Sequence, residues 1–314
     1  MEHDGSAACF NAALSDLLDR FTEYRITSVG HRVVHGGSDY AAPVLLDARH
    51  IDALRQLTPL APLHQPHNLA GIDAISRLLP NVPQVACFDT AFHHDQPPLA
   101  QRLGLPREMH DAGIRHYGFH GLSYEYIASQ LPVHLGALAD GRVIVAHLGS
   151  GASLCALHER RSVATTMGFS TLDGLLMATR CGTLDPGVLL YLMQTRGMDA
   201  AALSTLLYEQ SGLLGVSGIS GDIRTLLAAD TPTAREAIAL FCYRVCREVG
   251  SLAAALGGVD ALVFTGGIGE HAHTIRKRIC ADLGWLGSDL RVLTLPTDEE
   301  CVIAQHTERL CKHA

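Results

Sequence analysis

Lysine is almost missing from these 314 residues: only Lys277 and Lys312 occur, so arginine carries nearly all the positive charge. That removes the broad basic surface on which nucleic-acid and anionic-membrane binding rest, and the formal net charge of −8 argues the same way. Neither a nucleic acid nor a membrane is an expected partner. Charged residues are scarce at 18% and hydrophobic ones reach 47%, which excludes a disordered chain and suits a large folded core. No apolar run is long enough to span a bilayer. The opening MEHDGSAACF lacks the basic and apolar regions of a signal peptide. The nine cysteines contain no C-x-x-C pair, so reduced thiols in a cytoplasmic protein are expected, with Cys242 and Cys246 in a helical core.

Several signatures are absent too. Without G-x-x-x-x-G-K-S/T the chain is not a P-loop NTPase, and without G-x-S-x-G an α/β-hydrolase is disfavoured. Histidine is plentiful at 18, yet no H-E-x-x-H occurs. His31 and His35 flank Arg32-Val33-Val34, which reads as strand rather than as a ligand-bearing helix. There is no low-complexity segment and no short tandem repeat.

What is present is one local design used four times: a short apolar run followed by an abrupt polar or glycine turn. The examples are VGHRVVHGG (29–37), VACFDT (85–90), VIVAHLGSGASLCAL (143–157) and ALVFTGGIGEH (261–271). Continuous runs of this kind fit strands covered on both faces. Between them lie helical patterns, clearest from Ala234 to Leu256, where Ile238, Phe241, Val245, Val249, Leu252 and Leu256 recur at three and four. Thr231-Pro232 starts that helix and Gly257-Gly258 stops it. Strands mixed with helices predict an α/β protein with open sheets, whose ligands bind beyond the carboxyl ends of the strands. The proline-rich HHDQPPLAQRLGLP (93–106) is the expected domain break.

Each candidate residue admits two readings. Asp89 in VACFDT is either a turn acid or a poised carboxylate. Arg32 and Arg180 stand in apolar surroundings, where a guanidinium needs an anion, from a structural ion pair or from a ligand. His120, between Phe119 and Gly121, is either a core histidine or a ligand contact. In HLGSGAS, Gly149 and Gly151 let the backbone approach an anion, and Ser150 and Ser153 add hydroxyl donors. FTGGIGEHAHTIRKRI reads as strand, glycine turn and a helix whose N-terminus accepts phosphate.

In order along the chain, HRVVHGG, LAPLHQPHNL, FDTAFH, YGFHGLS, HLGSGAS, MGFSTLDGLLMATRCGTLDP, SGLLGVSGISGDIR, FTGGIGE and LPTDEE resemble the blocks of the acetate kinase family. The resemblance runs from about Val29 almost to the C-terminus. It implies an α/β fold of the actin-like ATPase and sugar-kinase superfamily, with two ribonuclease-H-like domains closing over a nucleotide. Residues 1–92 with 300–314 would form the substrate-side domain and 93–299 the nucleotide-binding one. The implied reaction is reversible transfer of the γ-phosphate of ATP to acetate, giving acetyl phosphate and ADP. Mg²⁺, with Mn²⁺ as a substitute, and a homodimer come with it.

By the same resemblance Arg32, Asp89, His120 and Arg180 are catalytic, and Arg32 also binds substrate. Val34, Leu63, Phe119 and Thr171 line a small methyl pocket, Thr171 standing where many relatives have proline. His147, Leu148, Gly149, Ser150 and Gly151, then Asp222, Ile223 and Arg224, match nucleotide-binding loops. Gly267, Ile268, Gly269, Glu270 and His271 match a third, and Glu299 a magnesium-associated glutamate. Acetate, like Asp and Glu with their pKa of about 4, is ionised at neutral pH, so the forward reaction needs no base. Asp89 is therefore expected to orient an arginine or a magnesium-bound water rather than to move a proton.

The chain departs from the family's pattern at its start. Relatives open with a strand and an Asn-x-Gly-Ser-Ser-Ser-x-Lys turn; here a helix, NAALSDLLDRF, is expected instead, and the first domain reads as N-terminally incomplete. Tyr124 and His271 stand where many relatives have His and Asn. Two alternatives follow: a kinase preferring propionate, and a non-catalytic remnant that binds nucleotide.

Overall fold

The computed structural model describes residues 14 and 16–312. Of the helix expected over NAALSDLLDRF, residues 14 and 16–19 are helical, and residues 11–13 and 15 lie outside the described residues. The chain forms two compact units, Met1–Ala91 with Glu299–Ala314, and Phe92–Asp298. Both breaks fall one residue before the expected ones. Glu299 therefore belongs to the first unit, because it begins the helix Glu299–Cys311 that packs on that unit's sheet. The proline-rich 93–106 stretch is not the break itself but the opening of the second unit.

The first unit holds β1 (Val29–Val33), β2 (Val44–Leu45), α1 (Ala48–Gln56), α2 (Gln65–Leu78) and β3 (Gln84–Phe88). β3 is central, parallel to β1 and antiparallel to β2. Its five residues are all buried, as a continuous apolar run predicts, whereas Gly30 and Arg32 of β1 are exposed. Helices α2 and Glu299–Cys311 both pack on β1, and among the described residues β1 pairs with β3 alone, at one edge of the sheet. Asp47 caps α1 by accepting from the His50 amide at 2.8 Å. Val33, Leu54, Leu69, Ile72, Ala86 and Phe88 form the core. A Cβ at Gly30 would stand 2.4 Å from both Ile303 Cγ2 and Thr307 Oγ1, so only glycine lets the C-terminal helix lie this close to β1.

The second unit carries α3 (Gly121–Leu135), β4 (Arg142–Leu148), β5 (Ala152–His158), β6 (Arg161–Thr165), α4 (Ile223–Ala229), α5 (Pro232–Leu256), β7 (Ala261–Thr265), α6 (Gly266–His271), α7 (His273–Asp282) and β8 (Arg291–Thr294). The sheet order is β6-β5-β4-β7-β8, antiparallel across β6-β5-β4 and parallel across β4-β7-β8. Thr231 caps α5 through the Ala234 amide at 3.2 Å, and Gly257 ends it in the left-handed conformation, φ 69°. Val143, Val145, Cys155, Leu157 and Val263 pack with Tyr124, Ile127 and Leu131 of α3. Their alternates Ile144, Ala146, Leu154 and Ala156 are equally buried, with α5 against the same strands. Both faces of the central strands are therefore covered.

FTGGIGEH does not form a separate glycine turn. The chain enters α6 at Gly266, directly after β7, and breaks at Ala272 (φ −93°, ψ 75°) before α7.

Each unit buries a neutral imidazole. Burial pushes His35 of the first unit and His93 of the second from the ordinary 6.5 down to about 4. Between those pH values the unfolded chain binds protons that the folded chain refuses. Stability is full above pH 6.5 and falls as the pH drops toward 4. A complete shift is worth on the order of 3 kcal/mol per histidine. Urea denaturation near pH 7 and near pH 5 should show the midpoint dropping at the lower pH. The drop should shrink in His93→Asn; an unchanged pH dependence in that variant would remove His93 as a cause.

Candidate active site

In the first unit two polar turns are built on parallel neighbours. Arg32 of β1 pairs in register with Cys87 of β3, and Asp89 follows the last residue of β3. The Asp89 amide donates to the Val33 carbonyl at 3.0 Å, and the Gly36 amide to Thr90 Oγ1 at 3.0 Å, knitting the turns together. Asp89 is 1% exposed, and its carboxylate accepts from Arg32 Nε at 3.0 and 3.2 Å and from Nη2 at 2.7 Å. This two-pronged grip fixes the guanidinium plane and leaves Nη1 outside it. The charge of Asp89, chiefly, raises the Arg32 pKa further above its ordinary value.

Glu299 approaches the same guanidinium, with Oε2 3.7 Å from Arg32 Nε. Burial holds its carboxyl above the ordinary range; Asp89 and Glu300 add to this and Arg32 opposes it. Three carboxylates thus surround one guanidinium, a net negative cluster of hard oxygens. Both Asp89 oxygens are engaged by Arg32, and among the described residues no three His, Cys, Asp or Glu side chains gather as a metal-holding group. Val34 is buried beside them in sequence and donates its amide to Asn68 Oδ1 at 3.0 Å, while Leu63 is exposed just before α2.

In the second unit, His120 sits at the start of α3 in the left-handed conformation (φ 60°, ψ 23°), uncommon for a non-glycine residue. The preceding Phe119 is 1% exposed, and its carbonyl is met by His93 Nε2 at 3.0 Å; His93 Nδ1 is 2.8 Å from Ser162 Oγ. The His120 ring stacks on that of His147, centroids 4.3 Å apart, and His147 Nδ1 is 2.8 Å from Ser123 Oγ. His120 Nδ1 lies 2.8 Å from Ser153 Oγ, which also meets the Tyr124 hydroxyl.

Arg180 donates from Nη1 to the Thr171 carbonyl at 2.7 Å. Burial lowers its pKa, and among the described residues no carboxylate pairs with it. A guanidinium in that condition is poised for an outside anion. A Cβ added at Gly151 would stand 2.7 Å from Arg180 Nη2 and 3.3 Å from His120 Nε2. Both donors therefore converge where Gly151 leaves space.

Next to Ser150 opens a cavity of about 830 Å³. It is lined by the expected Gly149, Ser150, Asp222, Ile223, Arg224, Gly267, Ile268 and His271. Sequence reasoning did not single out Ala178, Gly221, Leu227, Ala272, His273 and Thr274, which complete the lining. Ala178 is joined to the glycine hairpin by donating its amide to the Ser150 carbonyl at 3.0 Å, and nothing local in the sequence signals that link. Asp222 caps α4 and pairs with Arg224 at 2.6 Å.

Other expected nucleotide residues lie elsewhere. Leu148 is wholly buried and Gly269 is buried in α6. Glu270 turns back, its Oε1 accepting from the Gly266 amide at 3.0 Å and the Thr297 amide at 3.3 Å. The first amide of α6 is thereby taken by the protein's own carboxylate, not left for a phosphate. Ser153 and Tyr124 are the functional neighbours that sequence reasoning passed over as histidine partners. The period-two alternation of β5 was the available signal, since it puts Ser153 on one face with Cys155 and Leu157, toward α3.

The fold is mixed α/β, with one sheet in each of two compact units. The chain matches the Acetokinase family over residues 2–311. It is 56% identical over 312 residues to the acetate kinase of Rhodopseudomonas palustris, spanning 92% of this chain and 78% of that protein. Among solved structures it resembles the Porphyromonas gingivalis acetate kinase at a TM-score of 0.87 and 37% identity, covering 98% of this chain and 85% of that one. It resembles a propionate kinase from Francisella tularensis at a TM-score of 0.91 and 36% identity, covering 97% and 84%. The chain belongs to the Acetokinase family.

Gly151 offers a sharp test. Its added Cβ in Gly151→Ala meets first the end of the Arg180 side chain and the edge of the His120 ring, not backbone, so the fold should tolerate it. Displacing two charge-stabilising donors should nevertheless lower kcat on the order of a hundredfold. Thermal denaturation and steady-state kinetics of the same preparation separate the two; an active Gly151→Ala enzyme would remove this point as the place where phosphate is met.

Proposed function

We propose that this chain transfers the terminal phosphoryl group of ATP to acetate, reversibly, giving acetyl phosphate and ADP. The observation that carries the assignment is Arg180, a half-buried guanidinium that, among the described residues, has no carboxylate partner and converges with His120 on Gly151. Phosphoryl transfer asks for positioned positive charge more than for proton movement.

The residues divide the work by their chemistry. The cavity beside Ser150 takes the nucleotide, with Ile223, Leu227 and Ile268 offering apolar surface to a base. An acetate oxygen attacks the γ-phosphorus, the bond to the β–γ bridging oxygen breaks, and no proton changes hands. Arg180 and the His120 ring neutralise the oxygens of the group in transfer. Arg32, its plane fixed by Asp89, uses its remaining Nη1 to hold the acetate carboxylate, with Val34 and Leu63 as apolar wall. Phe119 and Thr171 act at one remove: the Phe119 carbonyl places His120, and the Thr171 carbonyl places Arg180. Glu299 would hold magnesium, which when bound neutralises phosphate charge.

The chain is proposed to work in the cytoplasm as a homodimer. The helix Pro186–Arg196 has no buried residue, and its Leu190, Tyr191 and Met193 are 57%, 52% and 47% exposed. An apolar surface of that kind suits a second copy.

The direct test is trapping of acetyl phosphate as its hydroxamate from ATP, Mg²⁺ and acetate. Arg180→Ala should lose on the order of 10²–10³ in kcat, the usual worth of one such donor. Asp89→Asn should lose turnover without moving the pH–rate profile, because its charge is used and its proton is not. A soluble, ADP-binding protein that makes no hydroxamate would favour the non-catalytic reading. The likeness to a propionate kinase supports a second acceptor. The ratio of kcat/KM for acetate and propionate should favour acetate within about 10–200-fold, the worth of one methylene.

A further inference from the structure

Ser153 is wholly buried, and among the described residues its hydroxyl reaches only two groups, His120 Nδ1 and the Tyr124 hydroxyl. A serine O–H has one proton to give, and leaving it without an acceptor in a buried site is costly. It must therefore donate either to the imidazole or to the phenol. A phenol is a stronger donor and a weaker acceptor than an alkyl alcohol. The consistent chain runs Tyr124 O–H to Ser153 Oγ, then Ser153 O–H to His120 Nδ1. With Nδ1 accepting, the ring's proton sits on Nε2, the atom that faces the space at Gly151 beside Arg180 Nη2. In the opposite sense Nδ1 carries the proton, and a bare Nε2 lone pair would face the oxygens of the group in transfer.

We infer that Tyr124 and Ser153 are positioning residues that set the His120 tautomer, making Nε2–H a fixed donor to the phosphoryl group. The inference rests on the reading of His120 given above. Neither residue needs to touch substrate, and no net proton moves: the relay only decides which ring nitrogen is the donor.

The test uses the full chain labelled with ¹⁵N-histidine, at mildly basic pH. The His120 signals are identified by their loss in His120→Gln. The wild-type ring should show its proton on Nε2; a proton on Nδ1, or on both nitrogens, overturns the inference. Tyr124→Phe keeps the ring and removes the donor, and should shift His120 toward the Nδ1–H form. In the same variant kcat should fall roughly tenfold, as for loss of one aligned hydrogen bond, with KM for ATP and acetate within about twofold. An unchanged tautomer in Tyr124→Phe also overturns it. Ser153→Ala, which breaks the relay at its centre, should give a mixture of tautomers; a ring still wholly Nε2–H would count against the relay. His120→Ala is the separate control. Normal turnover in that variant would retire the role given to His120, whatever the spectra of the other variants show.

Discussion

A guanidinium calls for an anion, and the half-exposed Arg32 of the first unit and the half-buried Arg180 of the second meet that demand in opposite ways. Arg32 is answered within the chain, gripped along one edge by the buried Asp89. Arg180 is half-buried, with a backbone carbonyl for company and no carboxylate among the described residues. The first arrangement makes a rigid fork, oriented before any ligand arrives. The second leaves a need for negative charge unmet among the described residues. Removing Asp89 would free the fork, and adding a carboxylate near Arg180 would satisfy it prematurely.

Backbone geometry serves the same end. His120 occupies a left-handed conformation that costs a non-glycine residue of order 1 kcal/mol or more. The surroundings over-determine it: Phe119 is packed in the interior, His93 meets its carbonyl, and Gly121 begins α3 immediately afterwards. His93 is buried neutral, at its own cost in acid stability, and in exchange the backbone before His120 is held. Thr171 works similarly on Arg180, through its carbonyl rather than its side chain. For that contact, the residue type at position 171 matters less than the path of the chain.

Much of this was legible in the residues. The four apolar runs with polar turns are strands, and α5 starts at Thr231-Pro232 and stops at Gly257 as its cap residues dictate. Asp89 both closes a turn and pairs an arginine. Its amide holds the turn to Val33 while its carboxylate holds Arg32. What stayed hidden depends on partners far away in sequence. Nothing within VGHRVV says that, among the described residues, β1 pairs with β3 alone, because that depends on elements distant in sequence. Glu270 reads as a nucleotide contact from its place in a glycine-rich block, yet the nearest orphan amide, at Gly266, claims it first. The break at Ala272 splits one helical pattern in two, and apolar periodicity over so few residues does not register a single aberrant ψ.

The register of the β4–β5 hairpin ties the chemistry to the core. Leu148 pairs with Ala152 and His147 with Ser153, and the tight turn through Gly149–Gly151 fixes that pairing. One face of the hairpin then reads Val143, Val145, His147 on one strand and Leu157, Cys155, Ser153 on the other. α3 covers it with Leu131 and Ile127 over the apolar part and Tyr124, Ser123 and His120 over the polar end. A slip of one residue would send Ser153 and His147 to the opposite face and bring Leu148 or Leu154 toward the polar end of α3. Both leucines are wholly buried, so the slip would expose them to polar groups at a cost of several kcal/mol. The apolar packing that stabilises the sheet is therefore also what holds two imidazoles and a hydroxyl in working order. Selection for a well-packed hairpin and for a correctly oriented His120 act on the same residues.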